Sequence, residues 1–283
     1  MNISKNIHTF IGCDSDYAES RIAIFGAPFD STTSYRPGAR FASSAMRNES
    51  YGIETYSPYQ DKDLLDAEIF DCGDLELCFG SPESALNDIE KMTENIISDG
   101  KLPIMIGGEH LVTLGAVRAA VKKYPDLRIV HFDAHADLRD DYLGQKLSHA
   151  CVMRRCHELL GDGKIFQFGI RSGDREEFLW GREHVYTNRF DFSGIERIKE
   201  KTGDRPVYFT LDLDVLDPSC FCGTGTPEAG GVSYNELIKA IEKVSELNVI
   251  GLDINELSPT LDQSGASTAL ACKLFKRNSA VFL

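Results

Sequence analysis

The stretch LRIVHFDAHAD, residues 127–137, sets the expectations for both the fold and the site. Its first half is apolar and rich in β-branched side chains, which is typical of a buried strand. Its second half places Asp133, His135 and Asp137 two residues apart, so in an extended chain all three side chains leave the same face. The two carboxylates would repel each other and resist desolvation without a cation between them. The stretch therefore predicts a buried strand that ends in metal ligands.

Seven further short apolar segments also have the character of strands, and helical patterns separate several of them. The predicted strands are residues 21–28, 67–71, 102–106, 164–170, a weaker stretch near 185, 206–215 and 249–254. The predicted helices are residues 43–51, 81–98, 111–123, 148–160, 234–247 and 264–275. This alternation predicts parallel strands with crossover helices, in one sheet covered on both faces. No repeat or change of composition marks a second domain, so residues 1–283 are expected to form a single one.

Composition and charge exclude several classes of protein. Of the 283 residues, 42% are hydrophobic and 26% are charged, as in a soluble globular protein. No apolar run reaches the roughly 18 residues of a membrane span, and the N-terminus lacks the features of a signal peptide, so we expect a cytoplasmic protein. The net charge of -14 makes nucleic acid and anionic membranes poor partners. Eight cysteines without a C-x-x-C pair predict neither a disulfide framework nor a structural zinc site.

Polar side chains gather where the predicted strands end, which is where parallel α/β sheets bind ligands. Taken singly, His110 could be a hydrogen bonder at a helix start, and Asp212 and Asp214 could be turn or cap residues. Together with Asp133, His135 and Asp137 they make four carboxylates and two imidazoles, which suit two metal ions that share bridging carboxylates. An oxygen-rich set with some imidazole favours Mn²⁺, whereas zinc commonly takes three ligands.

The other histidines carry weaker expectations. His131 shares the face of Asp133 but lies deeper in the strand, so it is predicted to be a hydrogen-bonded core residue. His8, His157 and His184 have no supporting neighbours in the sequence, and no role is predicted for them.

Seven motifs, in family order and covering residues 26–259, resemble those of the ureohydrolases, the arginase and agmatinase superfamily. The motifs are GAPFDSTTSYRPGAR (26–40), GGEH (107–110), FDAHAD (132–137), SHACVMR (148–154), LDLDVLDP (211–218), GTGTPE (223–228) and DINELSP (253–259). Within the superfamily the chain is most similar to the agmatinases. One departure is Cys222, which stands where a proline commonly precedes GTGTPE.

This resemblance implies an arginase-like three-layer α/β/α fold with an eight-stranded, mostly parallel sheet and two Mn²⁺ per chain. The first manganese would be held by His110, Asp133, Asp137 and Asp212, and the second by His135, Asp133, Asp212 and Asp214. Asp133 and Asp212 would bridge the two ions.

The resemblance also implies catalytic roles for three residues. His149 matches the histidine that shuttles protons near the site entrance, and Glu256 matches the acid that holds the guanidinium group of the substrate. Asp137 would orient the attacking water and relay its proton. Asp253 is expected to orient a ligand histidine.

The implied reaction is hydrolysis of agmatine to putrescine and urea. The loop DLRDDYLGQKLSH, residues 137–149, lacks the Ser-Gly-Asn pattern of arginases, and its Asp140 and Asp141 favour a small guanidino substrate with a cationic tail. Guanidinobutyrate and arginine remain alternatives. A zinc deacetylase-like amidohydrolase would need only one metal, and a non-catalytic homologue would have no need of complete ligands together with His149 and Glu256.

Two further expectations concern assembly and reactive thiols. The family resemblance suggests a homo-oligomer, a trimer or a hexamer. Cys151, Cys220 and Cys222 are inferred to lie near the site, where we expect small buried residues, with oxidation or binding of a stray metal ion as the alternative.

Overall fold

The computed structural model describes residue 3 and residues 6–281, with side chains as far as residue 276. Its ten strands are β1 (Ile22–Gly26), β2 (Tyr56–Ser57), β3 (Lys62–Asp63), β4 (Ile69–Asp74), β5 (Leu102–Ile106), β6 (Arg128–Phe132), β7 (Ile165–Ile170), β8 (Tyr186–Arg189), β9 (Pro206–Asp212) and β10 (Asn248–Asn255). Eight of these form one sheet in the order β4-β1-β5-β10-β9-β6-β7-β8, and every neighbouring pair is parallel. The expected eight-stranded sheet is therefore confirmed, and β2 and β3 form a separate antiparallel hairpin.

Helices cover both faces of this sheet. They are α1 (Ala42–Ser50), α2 (Pro82–Ser98), α3 (Thr113–Lys123), α4 (Val152–Leu160), α5 (Arg175–His184), α6 (Ile198–Thr202), α7 (Tyr234–Val244) and α8 (Ala266–Val281). Apolar side chains of α2, α3 and α4 pack on one face, and those of α1, α7 and α8 pack on the other. The two cores are built by alternate residues of the same strands: Ile22 and Ile24 point to one core, and Ala23 and Phe25 to the other. The result is the three-layer α/β/α architecture.

Local sequence accounts for where the helices begin. Ser81 caps α2 by accepting a hydrogen bond from the backbone N–H of Ser84, as its position before the helix predicts. Ser233 and Glu236 form a capping box at α7. The predicted helices at 111–123 and 148–160 each begin with a 3-10 turn, His110–Val112 and His149–Cys151, before the α-helix proper.

The topology brings four strand ends together. β5, β10, β9 and β6 are consecutive in the sheet, and each is followed by candidate site residues. Because the strands are parallel, their carboxyl ends lie at one edge, and the chain that leaves them builds a shared cleft there. No helix within residues 6–281 is long and apolar enough to cross a membrane.

Candidate metal centre and active site

His110 lies among three carboxylates. It begins the 3-10 turn that follows β5, and its side chain is 1% exposed. Its Nδ1 is 2.9 Å from Asp133 Oδ2 and 3.3 Å from both Asp137 Oδ2 and Asp212 Oδ2. Carboxylates from the ends of β6 and β9 therefore meet at the imidazole nitrogen of a residue that follows β5.

The other nitrogen of this ring is fixed by a hydrogen-bond chain. His110 Nε2 is 2.9 Å from Thr210 Oγ1, and the Thr210 hydroxyl donates to Asp253 Oδ1 at 2.6 Å. Because the hydroxyl has a single hydrogen, which Asp253 accepts, His110 Nε2–H is the donor to Thr210. Nδ1 is then available to a cation held by the carboxylates. Asp253, which was expected to orient a ligand histidine, reaches His110 through Thr210.

Asp133 is completely buried and held from both sides. Its Oδ2 accepts a hydrogen bond from His131 Nε2 at 2.8 Å, and its Oδ1 accepts one from the backbone N–H of His135 at 2.5 Å. His131 Nδ1 in turn accepts from Gln167 Nε2 at 3.0 Å. The prediction of a hydrogen-bonded core histidine at His131 is confirmed, and its bonds fix the orientation of the Asp133 carboxylate.

A second group forms around His135. Its Nδ1 is 3.0 Å from Asp214 Oδ2 and 3.5 Å from Asp133 Oδ1. Asp212 Oδ1 accepts from the backbone N–H of Asp214 at 2.9 Å, so Asp212 keeps its other oxygen toward His110. Asp133 thus presents Oδ2 to the group around His110 and Oδ1 to the group around His135. Such a carboxylate can bridge two cations.

The electrostatics of the cluster also favour bound cations. Burial, with Asp133 close by, raises the pKa of Asp137 to about 7. Burial and the neighbouring Asp214 raise the pKa of Asp212 well above its usual value. Burial lowers the pKa of His110, but hydrogen bonds to the surrounding carboxylates outweigh it and hold that pKa well above the usual value. The site therefore needs positive charge, and this set of oxygen and imidazole donors fits two divalent cations.

Two residues of the site adopt a backbone conformation that side chains other than glycine rarely take. Asp137 has φ 53° and Glu256 has φ 65°. Glu256 is held there by two bonds: its Oε1 accepts from the His110 N–H at 2.8 Å, and its own N–H donates to Gly108 O at 2.9 Å. Left-handed conformations of this kind cost about 1–3 kcal/mol and cluster at functional sites.

His149 borders the cleft from the 3-10 turn that leads into α4. Its backbone N–H donates to Thr32 Oγ1 at 3.1 Å, and its Nε2 is 3.5 Å from Ser34 Oγ. Burial, with His135 nearby, lowers the pKa of His149 to about 4, so its imidazole is neutral near pH 7. Glu109 fixes the same loop, because its carboxylate accepts from the backbone N–H of Thr32 at 2.9 Å and from the Thr33 hydroxyl at 3.2 Å.

The cleft above these groups has a volume of about 290 Å³. Its floor includes His110, His135, Asp137, Asp212 and Glu256, and His149 stands at its side. The cleft is also lined by a second set of residues, called the wall below: Arg139, Tyr142, Ser172, Gly173, Asp174 and Glu177. The sequence therefore predicted the floor of the cleft, whereas it did not predict this wall.

The residues of the wall differ from those expected near the substrate tail. Asp140 and Asp141 are not among the described residues that line the cleft. Asp140 accepts instead from Arg155 Nη2 at 2.6 Å, and Asp141 caps a turn by accepting from the Gly144 N–H at 2.8 Å. Arg139 is the residue of this loop that faces inward with Tyr142.

Several residues of the site went unpredicted, and some of them carried a sequence signal. Asp174 and Glu177 form a complete capping box at the start of α5, and the D-x-x-E spacing could have revealed both the helix and its first turn. Thr210 and Gln167 had no such signal, because one polar residue inside an apolar strand does not show which neighbour it will meet.

The three cysteines inferred to lie near the site are not among the described residues that line the cleft. Cys151 is buried, and burial raises the pKa of its thiol to about 12. Cys220 is half-buried with its thiol toward Asp217 O at 3.3 Å, and Cys222 is exposed.

Comparison with known proteins shows which family this chain is similar to. The arginase family model matches residues 20–279. The agmatinase of Bacillus subtilis is 45% identical over 273 residues, which cover 94% of this chain and 93% of that protein. The guanidinobutyrase of Pseudomonas aeruginosa is 34% identical, over 89% of this chain and 83% of that protein. The crystal structure of agmatine ureohydrolase of Thermoplasma volcanium superimposes with a TM-score of 0.90 at 37% identity, covering 98% of this chain and 94% of the other.

The parallel α/β/α sandwich with its carboxylate and imidazole groups at the strand ends is thus an arginase-like fold, as the sequence motifs implied. The chain belongs to the arginase family.

Proposed function

We propose that this protein is a ureohydrolase that uses two Mn²⁺ ions to hydrolyse agmatine to putrescine and urea. The observation that carries the proposal is the position of Asp133, whose two carboxylate oxygens face His110 and His135 separately. The similarity to the agmatinase of Bacillus subtilis along nearly the whole chain supports agmatine as the substrate.

The residues that would hold the metals are six side chains at or just beneath the cleft floor, and Asp133 and Asp214 are the two of them that do not line the cleft. In this proposal His110 and Asp137 serve one manganese, His135 and Asp214 serve the other, and Asp133 and Asp212 serve both. Bound manganese supplies Lewis acidity, which activates water and stabilises negative charge on the reacting group. The Thr210–Asp253 chain and the His131–Gln167 pair keep the donors oriented.

Glu256 would orient the guanidinium group of the substrate. Its carboxyl group lines the cleft, and only its Oε1 is engaged by the His110 N–H. Burial and the nearby Glu109 raise its pKa well above the usual value. A guanidinium cation beside Glu256 lowers that pKa again, because the opposite charge favours the carboxylate. The carboxylate can then bind the planar N–H groups of the guanidinium in a fixed orientation.

His149 and Asp137 would handle protons. Asp137, which lines the cleft, would receive the proton that water loses when it attacks the guanidinium carbon. The neutral His149 imidazole at the side of the cleft can accept a proton and pass it to the departing amine, which leaves as the amino group of putrescine. The hydroxyl groups of Thr32 and Ser34 hold its ring near the entrance.

One observation favours a second substrate, guanidinobutyrate. Arg139 brings a positive charge to the cleft wall, where a substrate tail would lie, and a cation there suits a carboxylate tail. The acidic side chains of Asp174 and Glu177 on the same wall suit an amine tail, and their two charges outnumber that of Arg139. We therefore retain agmatine as the substrate.

Urea release tests this proposal. The purified protein is loaded with Mn²⁺ and assayed with agmatine, guanidinobutyrate and arginine at equal concentrations. We expect the highest kcat/KM for agmatine, no activity after chelation, and recovery on return of Mn²⁺. Asp133→Asn should abolish both metal retention and urea release, whereas His149→Asn should keep the metal and lose about 10²–10⁴ in kcat. A folded, manganese-loaded protein that releases urea from none of the three compounds would refute the proposal.

A further inference from the structure

A second group of potential metal ligands lies outside the cleft, on the far side of α4. His157 Nε2 is 2.8 Å from Asp162 Oδ1, and His184 Nδ1 is 2.6 Å from the same oxygen. The three ligand atoms lie within 4.8 Å of one another. No supporting neighbours were predicted for His157 and His184, but the fold brings them together, since His157 is in the last turn of α4 and His184 is the last residue of α5.

The loop that carries Asp162 is fastened to the ends of both helices. The Gly161 N–H donates to His157 O at 2.7 Å, and the Gly163 N–H donates to His184 O at 2.8 Å. Both glycines take positive φ, 88° and 70°, which side chains rarely adopt. The backbone therefore holds Asp162 between the two histidines, and its position does not depend on the side-chain bonds alone.

A single tryptophan fixes the two imidazoles. Trp180 stacks on His184 with ring centroids 4.2 Å apart, and His157 meets Trp180 edge-on at 4.7 Å. Arg154 also packs on Trp180, and its guanidinium carbon is 3.8 Å from the centroid of the Trp180 ring. The imidazole side chains are only 15% and 27% exposed, whereas the Asp162 side chain is 67% exposed. Solvent ions can thus reach the Asp162 oxygen that both histidines share, while the two imidazole rings are largely covered by the protein.

We propose that His157, Asp162 and His184 form a zinc site, separate from the catalytic metals. Two imidazoles and one carboxylate are a common set of zinc ligands, and solvent completes the coordination. Zinc bonds of about 2.0–2.1 Å place ligand atoms roughly 3.3 Å apart, so Asp162 must withdraw by about half an ångström. Its exposed side chain can do so. The carbonyl ends of α4 and α5 also favour a cation at this place.

A metal here would clamp two helices whose other ends border the cleft. His149 lies in the 3-10 turn that leads into α4, and Asp174 and Glu177 cap the start of α5. Zinc at the opposite ends would join α4 to α5 and stabilise the fold without contacting the substrate. This role does not depend on the proposed reaction.

Trp180 makes the site measurable, because it is the only tryptophan in the chain. Protein already loaded with Mn²⁺ is titrated with Ni²⁺, a paramagnetic quencher that prefers imidazole, and the fluorescence is recorded. We expect saturable quenching that Zn²⁺ reverses, because Zn²⁺ competes for the site but does not quench. Zn²⁺ should also raise the thermal unfolding midpoint.

Variants separate this site from the catalytic one. Asp162→Asn leaves both imidazoles and their contacts with Trp180 in place, and it should weaken Ni²⁺ binding by about tenfold or more. His157→Gln should abolish saturable quenching, and His8→Gln, which removes an exposed histidine elsewhere, should change nothing. Urea release should be the same in all of these variants. Absence of saturable quenching in the unsubstituted protein, or identical titrations with and without the Asp162 carboxylate, would overturn the proposal.

Discussion

Arg139 Nε lies 3.2 Å from Glu177 Oε2, inside the cleft that the substrate tail would enter. The same nitrogen is 3.7 Å from Asp174 Oδ2, and the guanidinium group lies over the Tyr142 ring at 4.5 Å from its centroid. The protein thus carries its own cation against the two acidic groups best placed to attract a charged tail. In the proposed reaction, this arrangement would set how strongly the cleft discriminates between amine and carboxylate tails.

Replacing Arg139 by glutamine should shift substrate preference toward agmatine. Without its charge, the field of Asp174 and Glu177 acts undiminished on the tail, so KM for agmatine should fall and KM for guanidinobutyrate should rise. We expect the ratio of the two kcat/KM values to change by about tenfold, equivalent to about 1.4 kcal/mol. Arg139→Lys keeps the charge and serves as the control. If both substrates lose activity equally in the glutamine variant, Arg139 supports the loop and does not select the tail.

Breaking a buried ion pair between α1 and β4 should destabilise the fold. Arg47 donates from Nε and Nη2 to the two oxygens of Asp71 at 2.8 and 2.9 Å, and it also pairs with Asp74. The Arg47 side chain is 3% exposed and that of Asp71 is wholly buried. Arg47→Met leaves the Asp71 charge without its partner, so we expect a loss of about 3–5 kcal/mol in the free energy of unfolding.

Urea denaturation measures that loss, and a double variant isolates its cause. Arg47→Met combined with Asp71→Asn removes both charges and should recover part of the lost stability. Equal midpoints for the single and double variants would show that the loss comes from packing of the arginine side chain.

Asp217 should make the stability of the fold depend on pH. Its carboxylate accepts from the backbone N–H groups of Ser219, Gly230 and Gly231, at 2.9–3.0 Å. A hydrogen bond from the Ser219 side chain, together with these backbone bonds, lowers the pKa of Asp217 to about 2. An aspartate in the unfolded chain has a pKa of about 3.9. Since the folded value is the lower one, the ionised group stabilises the fold above pH 4, and this contribution is lost as the pH falls toward 2.

Unfolding midpoints between pH 2 and 6 test this pH dependence against Asp217→Asn. We expect the unsubstituted protein to be the more stable of the two above pH 4, with the difference shrinking toward pH 2. A difference that stays constant across this range would mean that the bonds do not depend on the charge of Asp217.

The candidate ligand residues could be predicted because polar side chains directly follow apolar strands. β6 ends at Phe132, so Asp133 and Asp137 lie in the chain just beyond it rather than in the extended strand that the sequence suggested, and parallel pairing brings the ends of β5, β6, β9 and β10 to one edge. Neither step requires knowledge of long-range packing. The floor of the cleft follows from the strand pattern and the motifs.

The wall could not be predicted by the same means. Asp137 takes a left-handed conformation, which turns the following chain so that Arg139 points inward and Asp140 points out to Arg155. A loop's side-chain directions depend on such single dihedral angles, and alternation does not apply to them. Helix α5 was missed because only Glu177 and Gly181 of its residues are buried, so it shows almost no apolar stripe.

Thr210 offers the sharpest test of how the metal donors are held. Its hydroxyl joins Asp253 Oδ1 to His110 Nε2, and all three side chains are buried. Thr210→Val has nearly the same shape but cannot bond, so the His110 N–H and the Asp253 carboxylate lose a shared partner. Manganese affinity measured by equilibrium dialysis should then fall by about 10–100-fold. Thr210→Ser retains the hydroxyl and should stay close to the unsubstituted protein. Because serine also lacks the methyl group, a large loss with serine and none with valine would assign the role of Thr210 to packing against its neighbours.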